Sequence, residues 1–223
     1  MKNVSVIIRN KNEERWIGHA IQSTLEHLVA PEIIVINNNS TDDSMDIVRS
    51  FRHDPALEKS EKNYSTVKVN NISDYTPGKA LNLGVSMCAN EVILILSAHA
   101  VITSINSEKI HQYLKTYSCV FGKQIPIYNG RKITSRYIWS HFSDKAQEDM
   151  YSDLEDRYFL HNAACFYTKS ALIQIPFDEN ISGKEDRIWA KACVASNMKY
   201  LYSPEFQVHH HFTLQGNTWR GVG

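Results

Sequence analysis

The sequence lacks the glycine-rich signatures of several common enzyme folds. Its 223 residues include 9 glycines, and none of them forms Gly-x-x-x-x-Gly-Lys or Gly-x-Gly-x-x-Gly. A Gly-x-Ser-x-Gly nucleophile elbow is missing as well. These absences remove the main support for a P-loop NTPase, a dinucleotide-dependent dehydrogenase or a serine hydrolase. A phosphate-bearing ligand would then need a metal ion together with lysine or arginine side chains.

Cysteine, net charge and long apolar runs are equally scarce. The four cysteines are far apart and form no Cys-x-x-Cys pair, which argues against a zinc ribbon or a disulfide framework and favours a reducing compartment. The formal net charge is zero, so no global field favours nucleic acid or an anionic membrane. The first residues carry no signal-peptide pattern, and no apolar stretch has bilayer length. We expect a cytoplasmic protein, with a peripheral position at the inner face of the membrane left open.

Short apolar runs alternate with helical patterns through the first half of the chain. Four of these runs predict buried strands, at residues 4–8, 33–36, 67–69 and 92–96. Between them, the spacing predicts helices from Trp16 to Leu28, from a cap at Ser40 or Thr41 to Phe51, and over 79–89 after a turn at Pro77 and Gly78. This order predicts an α/β fold with a doubly wound, mostly parallel sheet and helices on both faces.

The pattern is weaker in the second half. Residues 107–117 and 185–196 read as helices, and residues 199–202 read as a strand. Residues 122–160 are rich in Tyr, Arg, His and Trp with weak periodicity. We predict that they form a less regular region covering one side of the sheet.

Polar clusters follow each of the four predicted strands. In an open parallel sheet, ligands bind outside the carboxyl ends of the strands. Four such clusters in succession at one sheet edge favour a nucleotide or a similar ligand. They occupy residues 9–13, 37–42, 75–82 and 97–99.

Several segments together resemble family-2 glycosyltransferases, which have the GT-A fold. The first two are residues 4–14 (VSVIIRNKNEE) and 34–42 (IVINNNSTD), followed by 78–84 (GKALNLG). Residues 121–126 (FGKQIP), 176–178 (PFD) and 183–189 (GKEDRIW) are similar to a bacterial branch that builds surface polysaccharides such as capsules. The match covers nearly the whole chain. It implies one domain over residues 1–223, with a nucleotide-binding half at 1–105 and an acceptor and catalytic half at 106–223.

The resemblance also implies which residues bind the nucleotide-sugar donor, for which UDP-sugars are favoured. Asp42 would cap the next helix or lie near the nucleotide. Asn37 stands where the family usually has Asp, which leaves the base open. The implied donor-binding residues are Arg9, Asn10, Glu13, Asn38, Lys79, Asn82, Ser97, Ala98 and Arg220, the last with Trp219 as a closing segment.

A divalent metal is implied at residues 97–99, where the family normally has Asp-x-Asp. This chain has His99 in place of the last carboxylate, and imidazole suits softer ions than Mg²⁺. Mn²⁺ or Mg²⁺ binding and a plain hydrogen bond to the nucleotide are both open for His99. His209 and His211 share one face of a strand-like stretch and are the residues we expect to contact the metal or the diphosphate.

The acidic pair at the start of the last predicted helix completes the implied site. Asp186 would be the general base and Glu185 would bind the acceptor or orient that base, although two acids at a helix N-terminus are also favourable electrostatically. The implied reaction is an inverting transfer to a hydroxyl of a saccharide or lipid-linked acceptor. A non-catalytic nucleotide-binding scaffold and, less favoured, a sugar nucleotidyltransferase are the alternatives. The oligomeric state is not indicated.

Overall fold

A computed structural model describes residues 1, 3–52, 65–133, 137–214, 216 and 219 of the chain. Its strands are β1 (Val4–Asn10), β2 (Glu32–Asn37), β3 (Thr66–Asn71), β4 (Val92–Ser97), β5 (Ala100–Ile105), β6 (Cys119–Tyr128), β7 (Arg131–Lys132), β8 (Gln147–Glu148), β9 (Tyr151–Ser152), β10 (Arg157–Tyr158), β11 (Ala164–Thr168) and β12 (Tyr200–His211). Its helices are α1 (Ile17–His27), α2 (Ser44–Ser50), α3 (Pro77–Met87), α4 (Ser107–Tyr113), α5 (Tyr137–Ser140), α6 (Lys169–Gln174) and α7 (Glu185–Ala195).

One large sheet organises the molecule. Its strand order is β3-β2-β1-β4-β11-β6-β12-β5. The first four of these strands are parallel, and β6 pairs in parallel with β12. The other pairings along this order, β4 with β11, β11 with β6 and β12 with β5, are antiparallel. The predicted mostly parallel α/β sheet is therefore confirmed, and its antiparallel strands come from the second half of the chain.

Each face of the sheet carries its own hydrophobic core, as the alternation of side chains along the strands requires. Ile7 of β1 packs in a cluster with Leu81 of α3 and Trp189 of α7. Its neighbours Val6 and Ile8 face the other way, into a cluster that includes residues of α1, α2 and α4. Helices thus cover both faces, as predicted for a doubly wound fold.

Two local predictions about helix starts are wrong. Pro77 and Gly78 do not form a turn: they are the first residues of α3, because the Thr76 side chain caps the helix through the Lys79 N–H at 3.1 Å and proline suits the first helical position. Neither Ser40 nor Thr41 caps α2. That helix begins at Ser44, whose N–H donates to Asp42 at 3.1 Å.

The region 122–160 is only partly irregular. Its first residues continue β6, which runs from Cys119 to Tyr128 between β11 and β12 in the sheet. The remainder holds the short elements β7 to β10 and α5, in agreement with the predicted loss of regularity. Within the described residues, no helix has the length and apolar character needed to cross a bilayer.

Gly78 is required where α3 meets the segment after α6. A Cβ at Gly78 would lie 2.7 Å from the Asp178 carbonyl carbon and closer still to its oxygen. We expect Gly78→Ala to destabilise the fold by about 2 kcal/mol, because backbone must shift to make room. Gly18→Ala is the matched control: its Cβ would lie 3.1 Å from the Ile47 side chain, and the change should stay within about 1 kcal/mol. Denaturant unfolding of both variants measures this, and equal stabilities would contradict the close approach.

Candidate functional site

A cavity of about 360 Å³ opens where β1 and β4 end and α7 begins. This is the place that the carboxyl-end rule predicts for a ligand in such a sheet, and the volume suits a small organic molecule. The residues predicted from sequence that line it are Arg9, Asn10, Glu13, Ser97, Ala98, His99, Glu185 and Asp186. The structure therefore gathers residues from both halves of the chain around one space.

An ion pair joins the two halves inside this cavity. Nη1 of Arg9 at the end of β1 lies 2.9 Å from Oε1 of Glu185 in the first turn of α7, with 22% and 8% of the side chains exposed. Burial by itself lowers the pKa of the Arg9 guanidinium, but the neighbouring Glu185 carboxylate is the main cause of a net rise above its usual value. Arg9 is therefore a permanent cation whose charge is already matched by Glu185.

Two backbone N–H groups hold the Asp186 carboxylate. Its Oδ2 accepts from the Asn162 N–H at 3.2 Å, and its Oδ1 accepts from the Arg187 N–H at 2.8 Å. The Arg187 guanidinium is farther away, with Nη1 at 3.9 Å from Oδ2. Asp186 is thus a fixed carboxylate at the cavity wall that can accept a further hydrogen bond.

A charged network behind Asp186 fixes the start of α7. Glu155 pairs with Arg157 at 2.7 Å and with Arg187 at 3.3 Å. The Arg187 guanidinium also lies over the Phe159 ring at 4.1 Å, in cation–π distance. Both Arg187 and Glu155 are nearly buried. Their contacts therefore hold the first turn of α7, which carries Asp186, in place.

His161 is a neutral imidazole at the same wall. Its Nδ1 accepts from the Ala163 N–H at 3.3 Å, so in the neutral ring the proton is on Nε2. Burial, followed by the nearby Arg187 charge, lowers the pKa of His161 to about 3. This histidine does not carry charge at neutral pH.

His99 pairs with Glu13. Nδ1 of His99 lies 3.0 Å from Oε1 of Glu13, and both side chains are largely buried. The same Glu13 oxygen accepts from the Thr213 hydroxyl at 3.2 Å. Glu13 therefore uses its carboxylate on protein partners, whereas the resemblance implied a nucleotide contact for it.

His210 also lines the cavity, beside His99, and the centroids of these two rings are 4.9 Å apart. Its Nδ1 lies 2.7 Å from Oε1 of the buried Gln124 on β6. Its Nε2 is buried and has no hydrogen-bond partner within the described residues. Burial, and then the neighbouring His99, lowers the pKa of His210 well below its usual value, so the ring is neutral and Nε2 carries a lone pair.

His209 and His211 do not line this cavity, in contrast to the prediction. They share a face of β12, as expected, but it is the opposite face from His210. The His211 ring stacks on Trp16 with centroids 4.0 Å apart, and the backbone N–H of His211 donates to the His99 carbonyl at 2.9 Å. The predicted alternation along β12 is present, and the cavity meets the face that carries His210.

The residues present fit a divalent metal only in part. Among the described residues, no three or more His, Cys, Asp or Glu side chains are grouped as a metal site, so His99, His209 and His211 do not form the expected set. The orphaned Nε2 of His210 next to His99 does fit a ligand role, because each ring has its Nδ1 tied to an acceptor. Two nitrogen donors of this kind suit a borderline ion such as Mn²⁺ better than Mg²⁺.

Other predicted donor-binding residues are not at the cavity wall. Asn82 donates to the Phe177 carbonyl at 2.9 Å and accepts its N–H at 3.0 Å, so its amide joins α3 to the segment after α6. Lys79 forms an ion pair with Asp74. Asn38 donates its N–H to the Asn10 carbonyl at 2.9 Å and does not line the cavity. Arg220 lies outside the described residues.

The loops after β1 and β2 are locked together beside the cavity. The Asn10 side-chain N–H₂ donates to Ser44 at 2.9 Å and to Ser40 at 3.2 Å, while its Oδ1 is buried with no partner in the described structure. Asp42 accepts from the Glu14 N–H at 2.8 Å and from Ser44, which places it at the start of α2, one of the two positions expected for it. Asn10 thus retains an unused acceptor at the wall.

Several lining residues carried no signal in the sequence. They come from the irregular region and from the turn before α7, where periodicity gives no direction. Trp219, expected in a closing segment, is buried against Trp139 and His210. Lys11 and Tyr75 also line the cavity and lie in the polar clusters predicted at 9–13 and 75–82. His210, which was not predicted to line it, comes from β12. The other lining residues missed from sequence include Glu155, Arg157, His161, Asn162, Lys184 and Arg187.

Solved structures share this fold. A crystal structure of Staphylococcus aureus TarS in complex with UDP-GlcNAc superimposes with a TM-score of 0.72 at 19% identity, covering 100% of this chain and 62% of that one. GalNAc-T7 with UDP, GalNAc and Mn²⁺ gives a TM-score of 0.65 at 13% identity, covering 96% of this chain and 44% of that one. The chain therefore has the GT-A fold and spans less than two thirds of either structure.

Sequence comparison identifies the family. A 4,4'-diaponeurosporenoate glycosyltransferase of Staphylococcus aureus is 38% identical over 50 residues, which are 22% of this chain and 13% of that relative. The family model described as Glycosyl transferase family 2 matches residues 5–180. Since this match extends over well more than half of the sequence and includes β1, β2, β4 and the cavity residues they carry, the chain belongs to glycosyl transferase family 2.

Proposed function

We propose that this protein transfers a sugar from a nucleotide-sugar donor, with UDP favoured as the nucleotide, to an acceptor hydroxyl. The observation that carries the proposal is the cavity itself. Its wall includes the carboxylate of Asp186, oriented by two backbone N–H groups, and the imidazoles of His99 and His210, whose ring centroids lie 4.9 Å apart. A proton acceptor and a cation-binding pair are what glycosyl transfer from a diphosphate needs.

The nucleotide would occupy the end of the cavity formed by the β1 loop. Oδ1 of Asn10 is a buried acceptor without a partner among the described residues. Every common nucleobase can donate a hydrogen bond to it, through an amino group in adenine, guanine and cytosine and through a ring N–H in uracil and thymine. Satisfying this oxygen with a base would remove the free-energy cost of leaving it unpaired. UDP is favoured by the UDP complexes of TarS and GalNAc-T7, which share the fold.

His99 and His210 would hold a divalent metal together with oxygens of the donor diphosphate. In both rings Nδ1 faces an acceptor, so in the neutral form of the ring Nε2 offers a lone pair and no N–H to an anion. Direct hydrogen bonding of these rings to the diphosphate is therefore less favourable than a shared cation. When bound, the metal would supply charge stabilisation of the leaving nucleoside diphosphate.

Asp186 would act as the general base. It takes the proton of the acceptor hydroxyl as the acceptor oxygen forms a bond to the anomeric carbon and the bond from that carbon to the diphosphate breaks. The Asn162 and Arg187 backbone N–H groups keep the carboxylate oriented without neutralising it. A single displacement of this kind inverts the configuration at the anomeric carbon.

The acceptor is proposed to be a saccharide or a lipid-linked saccharide, in the synthesis of a bacterial surface polysaccharide. This rests on the resemblance of residues 121–126, 176–178 and 183–189 to that branch of the family. A non-catalytic nucleotide-binding relative is the alternative. It is favoured by the loss of the Asp-x-Asp motif at residues 97–99 and opposed by the placement of Asp186 in the cavity.

A ligand panel tests the donor. UDP-, GDP-, dTDP- and CMP-linked sugars are each mixed with the protein in EDTA, Mg²⁺ or Mn²⁺, and the melting temperature is recorded. At a hundredfold excess over Kd, a bound donor adds about 2.7 kcal/mol of stability, which corresponds to a rise of about 5–10 °C for a chain of this size. We expect this rise with the UDP-sugar and Mn²⁺, and a smaller one in EDTA.

Release of UDP from the same donor, with and without metal, separates an enzyme from a scaffold. A rise in melting temperature without any release of UDP from the donor would favour the non-catalytic alternative. No shift with any nucleotide sugar would contradict the donor proposal. Pyrophosphate formation from a nucleoside triphosphate and a sugar 1-phosphate would instead indicate a nucleotidyltransferase.

A further inference from the structure

We infer that Glu13 is a positioning residue that fixes the tautomer of His99. An ionised carboxylate is only an acceptor, so the 3.0 Å contact between Oε1 of Glu13 and Nδ1 of His99 requires the proton on Nδ1. In the neutral ring, Nε2 then carries the lone pair. The use of that lone pair for a metal rests on the proposed function, whereas the tautomer itself does not.

The backbone around Glu13 makes this contact rigid. The Glu13 carbonyl accepts from the N–H groups of Trp16 and Ile17 at 2.9 Å each, at the start of α1. On either side, Asn12 Oδ1 accepts from the Thr41 N–H at 2.8 Å and Glu14 Oε2 accepts from the Asp43 N–H at 3.0 Å. Glu13 is therefore held in a braced loop, with only 6% of the residue exposed.

The placement of this buried carboxylate is best explained by His99. Burying a carboxylate costs free energy unless its oxygens are hydrogen-bonded. Among the described residues, His99 and Thr213 both contact the Glu13 carboxylate through Oε1. His99 stands where the family resemblance expects a metal-binding carboxylate. An imidazole binds a cation through only one of its nitrogens at a time. With imidazole in place of that carboxylate, the protein must hold the ring proton on the other nitrogen.

Gln124 plays the corresponding part for His210. Its Oε1 lies 2.7 Å from Nδ1 of His210, which leaves Nε2 of that ring unprotonated and without a partner in the described structure. His99 and His210 are thus both oriented through Nδ1, one by a charged acceptor and one by a neutral acceptor.

The tautomer is measured directly by NMR of protein labelled with ¹⁵N at histidine, kept metal-free in EDTA. The His99 signals are identified by their loss in His99→Gln. We expect the wild type to show His99 protonated at Nδ1. In Glu13→Met, which keeps the side-chain length and removes the acceptor, His99 should move toward the Nε2-protonated form that predominates in free histidine. Thr213→Val removes the other donor to Glu13 and should leave His99 unchanged.

A binding measurement accompanies the spectra. By titration calorimetry, Glu13→Met should weaken the binding of UDP in the presence of Mn²⁺ by about 10–100-fold and leave its binding in EDTA within about twofold. Glu13→Gln, which retains an acceptor oxygen, should recover most of the loss. Thermal melting of each variant verifies that it is folded.

The outcomes separate the inference from the proposed function. His99 protonated at Nε2 in the wild type, or the same tautomer in wild type and Glu13→Met, would overturn the inference. If the tautomer changes as expected but Mn²⁺ has no effect on UDP binding by the wild type, the positioning role stands. In that case the metal part of the proposed function fails.

Discussion

Replacing Asp186 by asparagine is expected to reduce sugar transfer by about 10³-fold while leaving donor binding within about twofold. A positioned general base contributes roughly 10²–10⁴-fold to a rate, and the amide cannot take the acceptor proton. Asparagine keeps the shape and one acceptor oxygen for the Asn162 or Arg187 N–H, which hold the carboxylate at 3.2 and 2.8 Å. The defect should therefore appear in kcat and not in the affinity for the donor.

The control for this variant is Asp153→Asn, which removes a carboxylate from the exposed turn between β9 and β10. Its transfer rate should match the wild type. Donor affinity is measured by calorimetry, and transfer is measured as UDP release that depends on added acceptor. Transfer by Asp186→Asn at more than about a tenth of the wild-type rate would remove Asp186 from the role of base.

The parallel half of the fold was predictable because its signals are local. Residues 4–8, 33–36 and 92–96 are buried on both faces, so they read as continuous apolar runs that stop at polar residues. Their parallel order follows from the intervening helices, and the position of the ligand edge follows from the order. This reasoning alone predicts that Arg9, Asn10 and His99 share one edge of the sheet, where the structure has the cavity.

The second half was less predictable because its strands are defined by distant partners. β6 contains Gly122, Lys123 and Pro126, which weaken a strand pattern, yet it lies between β11 and β12 in the sheet. β12 changes its register against β6 between Ser203 and Gln207. Alternation along β12 separates His210 from its neighbours but does not say which face meets the cavity, since that depends on the register.

Asn82 illustrates a different limit. The helix predicted over 79–89, which contains most of the segment 78–84, is formed as α3. The amide, however, exchanges hydrogen bonds at 2.9 and 3.0 Å with Phe177, a residue 95 positions later in the chain. A contact over that separation leaves no periodic trace in the sequence, so a role near the donor and a role in packing look the same until the fold is known.

The second large effect is expected at His210, which lies on the face of β12 that meets the cavity. We expect His210→Phe to weaken UDP binding in Mn²⁺ by about 100-fold, while binding in EDTA changes by no more than about twofold. The reason is that Nε2 of His210, beside His99, is a buried nitrogen with no hydrogen-bond partner among the described residues. Loss of a metal ligand removes binding that only the ion supplies. Phenylalanine has a similar ring and keeps the contacts with Trp139 and Trp219.

His209→Phe is the matched control, because the two residues are adjacent on one strand and face opposite sides of the sheet. It should bind UDP as the wild type does in both Mn²⁺ and EDTA. His210→Phe also leaves Gln124 Oε1 without its donor. UDP binding is therefore measured for His210→Gln as well, because glutamine retains polar atoms at that position. The melting temperature of each variant is recorded. If His209→Phe loses the Mn²⁺-dependent affinity and His210→Phe retains it, the metal lies on the face first predicted from sequence, and the imidazole pair at the cavity is a packing feature of the core.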